Sequence, residues 1–197
     1  MDSDGEDRPI EIKSLIEKVL SEPLNSVVAV RIKRSEGIFF KSLYQIHKLI
    51  ILIFTGKKIN FGNYCCLTLK DVEVLSEKKS LWSSFSGTVK KYLSNINEVS
   101  SIRGKRYFGP SKMSLYNLVI HSLAIAAVFK YQVLIRSTLT LFIILILSEK
   151  LFLIKISFSL LIVIFNLLIF TVSLRENYKD FSKSHINIDS IKEITHY

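Results

Sequence analysis

The sequence predicts an α/β unit followed by an interfacial helix and a two-helix transmembrane hairpin. Residues 1 to about 110 combine amphipathic stretches with a short β-branched run, which is typical of a soluble α/β fold. The nineteen residues Ile156–Leu174 carry no charge. As a helix this segment is about 28 Å long, close to the thickness of a bilayer's hydrocarbon core, and we expect it to cross a membrane.

Composition narrows the classes of partner. The 197 residues include 27 Lys and Arg against 17 Asp and Glu, a net charge of +10, which favours nucleic acid, acidic lipid headgroups or phosphorylated substrates as partners. The transmembrane segment argues against nucleic acid. Cys65 and Cys66 are sequence neighbours, so a disulfide framework is excluded. The acidic, polar N-terminus is unlike a secretory signal peptide.

The elements of the α/β unit follow from local patterns. Apolar residues recur at helical spacing in Ile10–Leu20 and predict an amphipathic helix. The run Val27–Ile32 predicts a buried strand. Ile38–Phe54 is long, apolar and aromatic, and predicts a helix that is buried or lies against a membrane. Leu69–Leu75 and Ser80–Leu93 predict two further helices.

The C-terminal half predicts membrane elements. Ser114–Phe129 is apolar on a broad face and is expected to lie in the membrane interface. A first span is expected over Val133–Ile154, with Arg136 extending its charge towards the headgroups, and a second over Ile156–Leu174. Most Lys and Arg lie outside this pair, so both termini are expected on the cytoplasmic side of the cell membrane. The expected domains are 1–112 (α/β unit), 113–131 (interfacial amphipathic helix), 132–174 (transmembrane hairpin) and 175–197 (polar cytoplasmic tail).

Two groups of charged residues are candidate sites. Asp2 and Asp4 stand one residue apart, so their carboxylates can converge on a hard cation that holds a diphosphate, although a solvated acidic terminus is the commoner outcome. A second group of basic residues suits phosphate binding, but a basic face against anionic lipid fits equally well. Its members are Arg31, Lys33, Arg34, Lys57, Lys58, Arg103, Lys105, Arg106 and Lys112. Asn60–Asn63 indicates a turn before a strand.

Four of these segments also carry a family resemblance. In order they read MDSDGEDRP, VVAVRIKRSEG, TGKKINFGN and RYFGPSKMS, and the interfacial helix and hairpin follow. This series resembles the membrane-anchored family-2 glycosyltransferases that act on polyprenyl or dolichyl phosphate, and it runs co-linearly from Met1 to about Leu174. The resemblance implies a partial, Rossmann-like GT-A domain in residues 1–112. It also implies transfer of a sugar from a nucleotide-sugar donor to a polyprenyl phosphate acceptor at the membrane.

The resemblance assigns roles to individual positions. Asp2 and Asp4 match the family's D-x-D, which binds Mg²⁺ or Mn²⁺ and the donor diphosphate, and Glu6 falls where a further metal-side residue often stands. The residues implied at the acceptor phosphate are Arg31, Arg34, Arg106, Ser111 and Lys112. Asn63 occupies the position of a family acid, and because an amide cannot accept a proton at neutral pH, no catalytic base is assigned.

One departure from the family concerns the start of the sequence. Asp2 follows Met1 directly, whereas the family's D-x-D ends a strand inside the nucleotide-binding domain. We therefore expect a truncated or split enzyme that is inactive alone and pairs with an upstream polypeptide or a second copy. The alternative is a non-catalytic membrane protein whose basic face binds anionic lipid or a partner enzyme.

Overall fold

The chain forms a small mixed sheet with helices on both of its faces and a separate cluster of apolar helices. The computed structural model describes residues 1–33, 38–104, 106–107, 109, 114–146 and 152–184. The strands are β1 (Ser26–Lys33), β2 (Phe61–Cys66) and β3 (Ile96–Ile102). Their order is β2-β1-β3, with β2 antiparallel and β3 parallel to the central β1. The sequence prediction of an α/β class is confirmed.

The described part of the chain also contains eight α-helices and two short 3₁₀ turns. The 3₁₀ turns are Pro9–Glu11 and Lys79–Trp82. The helices are α1 (Ile12–Ser21), α2 (Ile38–Thr55), α3 (Leu69–Ser76), α4 (Phe85–Tyr92), α5 (Leu115–Val128), α6 (Lys130–Ile146), α7 (Phe152–Ser173) and α8 (Tyr178–Ser182).

The alternation of β1 builds a core on each face of the sheet, because successive side chains point to opposite sides of a strand. Val27 and Ala29 face α1, and Val28 faces α3 and α4. The α1 side is completed by Leu15 and Tyr64. The other side is completed by Phe61, Leu75, Val89 and Leu93. The sheet is therefore the middle layer of an α/β/α arrangement.

The remaining helices form a second core. The buried residues of this core come from α2, α5, α6 and α7, and they include the continuous run 124–129 at the end of α5. Helices α6 and α7 pack antiparallel, since Asn166 Nδ2 donates to Ser137 Oγ at 2.9 Å and Lys155 Nζ donates to the Leu145 carbonyl at 3.1 Å.

The three strands together with α1, α3 and α4 are called the sheet unit from here on. The C-terminal end of α7 lies beside this sheet unit. Glu176, just beyond this end, accepts a hydrogen bond from Ser83 Oγ at 3.1 Å and pairs with Lys130 Nζ at 3.7 Å. The opposite end of α7 therefore points away from the sheet unit. This arrangement gives the helix pair a proximal end at the sheet unit and a distal end remote from it.

Among the described residues, one helical segment is by itself long and apolar enough to cross a bilayer, and it begins with α7 at Phe152. Helix α6 has only seventeen residues, among them Lys130 and Arg136, and it does not by itself qualify as a membrane span. Helices α5 and α6 together are long and apolar enough, but they are bent by 92° relative to each other. The predicted pair of spans is therefore corrected to one candidate span, with the shorter α6 packed along it.

Arg136 connects two helices. Its Nη1 donates to the Ile53 carbonyl at 3.2 Å, at the C-terminal end of α2, and its extension towards the headgroups stays a prediction. The free carbonyls at a helix C-terminus carry partial negative charge and attract a cation. Gly56, with φ of +71°, turns the chain at this point and leaves room for the guanidinium. Arg136 thus joins α6 to α2.

Most predicted local elements are confirmed, namely the helices at α1, α2, α3 and α5 and the strand at β1. The predicted helix Ser80–Leu93 is wrong as one piece, because Ser84 adopts an extended conformation and caps α4 by accepting a hydrogen bond from the Gly87 N–H at 3.2 Å. The predicted turn over Asn60–Asn63 belongs largely to β2, which begins at Phe61. No sequence pattern predicts strand β3.

Candidate functional site

The acidic loop, defined here as residues 2–7, is held against the segment that follows β3. The Gly104 N–H donates to the Glu6 carbonyl at 2.8 Å, and the Tyr107 N–H donates to the Asp4 carbonyl at 3.0 Å. Gly5 has a φ of +90°, a conformation that glycine adopts without steric cost. The backbones approach closely here, since a Cβ added at Gly104 would lie 2.3 Å from the Gly5 oxygen.

Ion pairs accompany these backbone contacts. Arg106 donates from Nε to Glu6 Oε1 at 2.8 Å, and its Nη2 lies 3.1 Å from Asp4 Oδ2. Arg103 binds the other oxygen of Glu6. The Glu6 carboxylate thus pairs with two guanidinium groups, and the Arg106 guanidinium pairs with two carboxylates. Charge-assisted hydrogen bonds of this kind are stronger than neutral ones.

A third pair extends the cluster to the sheet. Asp7 is buried with 3% of its surface exposed, and it accepts hydrogen bonds from the Asp2 N–H at 2.9 Å and from Arg31 Nη2 at 3.0 Å. Arg31 belongs to β1, beside Ser101 of β3. The sheet therefore fixes one arginine of the cluster, and the segment after β3 supplies the other two. We call these residues, Asp4, Glu6, Asp7, Arg31, Arg103 and Arg106, the ion-pair cluster.

The cluster shifts the titration of its central pair. Burial alone would raise the pKa of Glu6, but hydrogen bonds from Arg106 and Arg103, together with their charges, outweigh it and lower that pKa below its ordinary value. The hydrogen bond to Glu6 raises the pKa of Arg106. Glu6 and Arg106 therefore stay charged at neutral pH.

The structure brings together some of the predicted site residues. Asp4, Glu6, Arg31 and Arg106 meet in the ion-pair cluster. Asp2 contributes its backbone N–H to the cluster, and the residue itself is exposed. The predicted phosphate ligands Arg34, Ser111 and Lys112 lie outside the described residues.

Asn63 stands apart from the cluster in the sheet. It is exposed on β2, the strand on the opposite side of β1 from β3. Its neighbour Cys65 is no candidate nucleophile either, because burial raises the pKa of this thiol to about 11 and keeps it protonated at neutral pH. Neither Asn63 nor Cys65 is therefore assigned as a catalytic base or nucleophile.

Sequence reasoning misses Asp7 as a site residue, and it names Arg103 only as one of nine basic candidates, not as a partner of Glu6. In the sequence, Asp7 is part of an acidic run and Arg103 is part of a basic run. No local signal distinguishes them from their charged neighbours, because their partners lie 24 and 97 residues away along the chain. A pairing over that distance depends on how β1 and β3 align.

The geometry of the acidic loop bears on the predicted divalent cation. In the described ranges, no group of three or more His, Cys, Asp and Glu residues is arranged to hold a metal ion. The carboxylates of Asp4 and Glu6 pair with arginines, so a cation would have to displace Arg106 from them. The cation site over Asp2, Asp4 and Glu6 stays a prediction.

Comparison with models of known protein families, with curated proteins and with solved structures finds no match for this chain. Three arginines converge at one end of the sheet, and guanidinium groups bind phosphates through two parallel hydrogen bonds. The acidic loop occupies these arginines, so an external phosphate would compete with Asp4, Glu6 and Asp7 for the same donors.

Proposed function

We propose that the chain carries the acceptor side of a membrane glycosyltransferase that moves a sugar from a nucleotide-sugar to a polyprenyl phosphate. The observation that supports this proposal is the meeting of two distant motifs. The D-x-D segment and the RYFGPSK segment touch through Asp4 and Arg106, whose charged atoms are 3.1 Å apart. The donor-side and acceptor-side motifs of the resembled family are thus neighbours in space.

The proposed reaction does not require a strong catalytic base. An oxygen of the lipid phosphate attacks the anomeric carbon of the sugar, and the bond from that carbon to the nucleoside diphosphate breaks. Because the attacking phosphate is already anionic, Asn63 in place of an acid does not prevent the reaction. Arg106 and Arg31 would orient the lipid phosphate by hydrogen bonds.

A membrane location is part of the same proposal. Only 11% of the most apolar 18-residue stretch of the candidate span is buried, whereas the core helix of a soluble protein is mostly covered by its own chain. We propose that α7 crosses the cell membrane and that the shorter α6 beside it leads the chain to the far end of α7, so that the sheet unit and both termini lie on the cytoplasmic side. The excess of Lys and Arg outside the span supports that orientation.

The experiment that tests acceptor binding uses the chain in nanodiscs. Undecaprenyl phosphate is titrated against wild type and Arg106→Gln, and undecaprenol is the uncharged control ligand. We expect the phosphate to bind and the alcohol not to bind, and we expect Arg106→Gln to weaken binding about tenfold, because it removes a charged donor to the phosphate. Lys13→Gln on α1 is the matched charge control, because Lys13 is 83% exposed and pairs with Glu17, which is not a member of the cluster. Equal binding of phosphate and alcohol would contradict the proposal.

Sugar transfer is tested separately. Membranes from the chain's own cells, with its gene intact or deleted, are incubated with polyprenyl phosphate, a panel of nucleotide-sugars and Mg²⁺ or Mn²⁺. We expect glycolipid only from the membranes that contain the chain.

The second candidate function is non-catalytic binding of anionic lipid or a partner enzyme, and the pairing of Asp4, Glu6 and Asp7 with arginines favours it. Phosphate binding by the chain, together with equal glycolipid in both kinds of membrane, would select this second function.

A further inference from the structure

The outward face of α2 carries an aliphatic stripe that no part of the described chain covers. The stripe consists of Ile46, Leu49, Ile50 and Ile53, which are 55%, 55%, 38% and 50% exposed. Their spacing of three, one and three residues places them on one face of a helix. On the opposite face, Ile51 is buried in the core formed with α5, α6 and α7. Helix α2 is thus apolar on both sides.

The position of α2 along α7 gives the depth of this stripe. The rings of Phe54 and Phe165 lie 4.8 Å apart, and Phe165 is eight residues before Ser173, where α7 ends beside the sheet unit. At the rise of a helix, eight residues correspond to about 12 Å. If α7 crosses a bilayer with Ser173 at the headgroups, the end of α2 therefore lies about 12 Å below them. This is slightly deeper than the depth of about 5–10 Å to which interfacial helices bury their apolar face.

The stripe is continuous with the other exposed apolar surface of the helix cluster. Arg136 of α6 donates to the Ile53 carbonyl and so fixes the end of α2 against α6. On α6, the residues Leu134, Ile135 and Leu139 are 40%, 62% and 58% exposed. One apolar surface thus runs from the candidate span to α2.

Charge indicates which partner covers this surface. No Asp or Glu occurs from residue 37 to residue 70, while the same stretch contains Lys41, Lys48, Lys57, Lys58 and Lys70. Lys57 and Lys58 are exposed directly after α2. A second copy of the chain would bring the same positive charges together and would be repelled. Anionic lipid headgroups have the complementary charge, and each basic residue near them strengthens membrane attachment.

We propose that α2 is an interfacial membrane helix, whose stripe Ile46, Leu49, Ile50 and Ile53 lies among the acyl chains just below anionic headgroups. The proposal rests on the proposed insertion of α7 and does not depend on sugar transfer. In this arrangement the bilayer holds the sheet unit at two places, the candidate span and α2. The ion-pair cluster then has a fixed height above the membrane.

The test uses tryptophan fluorescence with brominated lipids, which quench by contact. Trp82 is the single tryptophan of the chain, so Trp82→Phe provides a silent background. In this background Leu49→Trp and, as a second reporter, Ile46→Trp are placed on the stripe, and each full chain is reconstituted into vesicles of phosphatidylglycerol and brominated phosphatidylcholine. Leu20→Trp on α1 is the control, because Leu20 is 73% exposed on the sheet unit. Phe158→Trp on α7 reports whether the span itself is inserted.

We expect both stripe reporters and the Phe158→Trp reporter to lose at least half of their emission, and the Leu20→Trp control to be unaffected. Quenching of the α7 reporter without quenching of either stripe reporter would overturn the proposal for α2 and leave the membrane anchor intact. A stripe reporter that is blue-shifted, unquenched and sensitive to protein concentration would show a second copy on α2 and also overturn it. Absence of quenching in the Phe158→Trp chain would overturn the insertion of α7, and the proposal for α2 with it.

Discussion

Arg106 donates from its Nε to Glu6 Oε1 at 2.8 Å, although the two residues are 100 positions apart in the chain. Glu6 reaches this position because the acidic loop is bound to the segment after β3 through the Gly104 N–H and the Tyr107 N–H. Arg103 binds the second oxygen of the same carboxylate. The pairing therefore connects the start of the chain to the segment that leads into the helix cluster.

Glu6→Gln should destabilise the sheet unit. The substitution keeps the size of the side chain but removes the charge that Arg103 and Arg106 share, and hydrogen bonds to charged groups contribute about 1.5–3 kcal/mol each where they are shielded from water. Because the two arginines retain some exposure to water, we expect a total loss of about 1–2 kcal/mol. Thermal unfolding in detergent measures it as a lower Tm. Glu17→Gln, which removes an exposed acid of α1, should leave Tm unchanged. Equal Tm values for wild type and Glu6→Gln would show that the pairing adds nothing to stability.

The stabilising effect of Glu6 should depend on pH. The folded protein lowers the pKa of Glu6 below its ordinary value of 4.5, so the carboxylate form is favoured by folding. Its contribution is complete above that ordinary value and is lost as the pH falls through the lower, folded pKa. The Tm difference between wild type and Glu6→Gln should hence be constant from pH 7 to about 5 and shrink below pH 4.5. A difference that grows in acid would reverse the sign of the linkage.

Gly104→Ala should separate the acidic loop from the sheet unit. A Cβ at this position would lie 2.3 Å from the Gly5 carbonyl oxygen and 3.1 Å from Arg8 Cγ, so the backbones must move apart. Overpacking of this kind costs about 1–3 kcal/mol. Faster hydrogen exchange at the backbone amides of positions 104 and 107 would report the separation. Gly62→Ala is the matched control, because its added Cβ meets nothing within 4 Å. It should leave exchange at both amides as in wild type, and wild-type exchange in the Gly104→Ala chain would show that the close approach is not needed.

Sequence patterns predict the elements in which buried apolar residues follow one another at regular spacing along the chain. In β1, the β-branched run Val27–Ile32 predicts a buried strand, and the structure buries Val27 and Val28 completely. In β3, the alternation is hidden, because polar Ser101 is buried while apolar Ile102 is 39% exposed. Pairing with β1 stabilises β3 through backbone hydrogen bonds, which side-chain patterns do not encode.

The candidate site is only partly accessible to sequence reasoning. The acidic and basic runs are recognisable, but their mutual pairing is not, because it depends on the parallel alignment of β1 with β3. In that alignment Arg31 lies beside Ser101, and Ser101 stands two residues before Arg103. The isolated charge of Arg136 poses the same difficulty, since its partner carbonyl belongs to α2, 83 residues earlier.

Ser137 and Asn166 should couple α6 to α7 weakly but measurably. Asn166 Nδ2 donates to Ser137 Oγ at 2.9 Å and also to the Ile162 carbonyl at 2.8 Å. Hydrogen bonds between helices in membranes contribute on average about 0.6 kcal/mol and at most about 1.7 kcal/mol. A double-mutant cycle of Ser137→Ala and Asn166→Ala, measured by unfolding in mixed micelles, should give a coupling in that range. Ser157→Ala paired with Asn166→Ala should show no coupling, because Ser157 donates to Leu153 in its own helix.

Asp4→Asn should strengthen the binding of a lipid phosphate. In the structure Asp4 Oδ2 occupies Arg106 Nη2 at 3.1 Å, so an incoming phosphate must displace this carboxylate. Removing the negative charge leaves Glu6 to hold the arginine and lowers the competition, and we expect undecaprenyl phosphate in nanodiscs to bind about three- to tenfold more tightly, a gain of at most about 1.4 kcal/mol. The titration is done in EDTA so that no divalent cation contributes. Glu73→Gln removes the same charge from an exposed position of α3 and controls for net charge. If Asp4→Asn and Glu73→Gln strengthen binding equally, only long-range charge is involved; if Asp4→Asn weakens binding, Asp4 supports the phosphate site and does not compete for it.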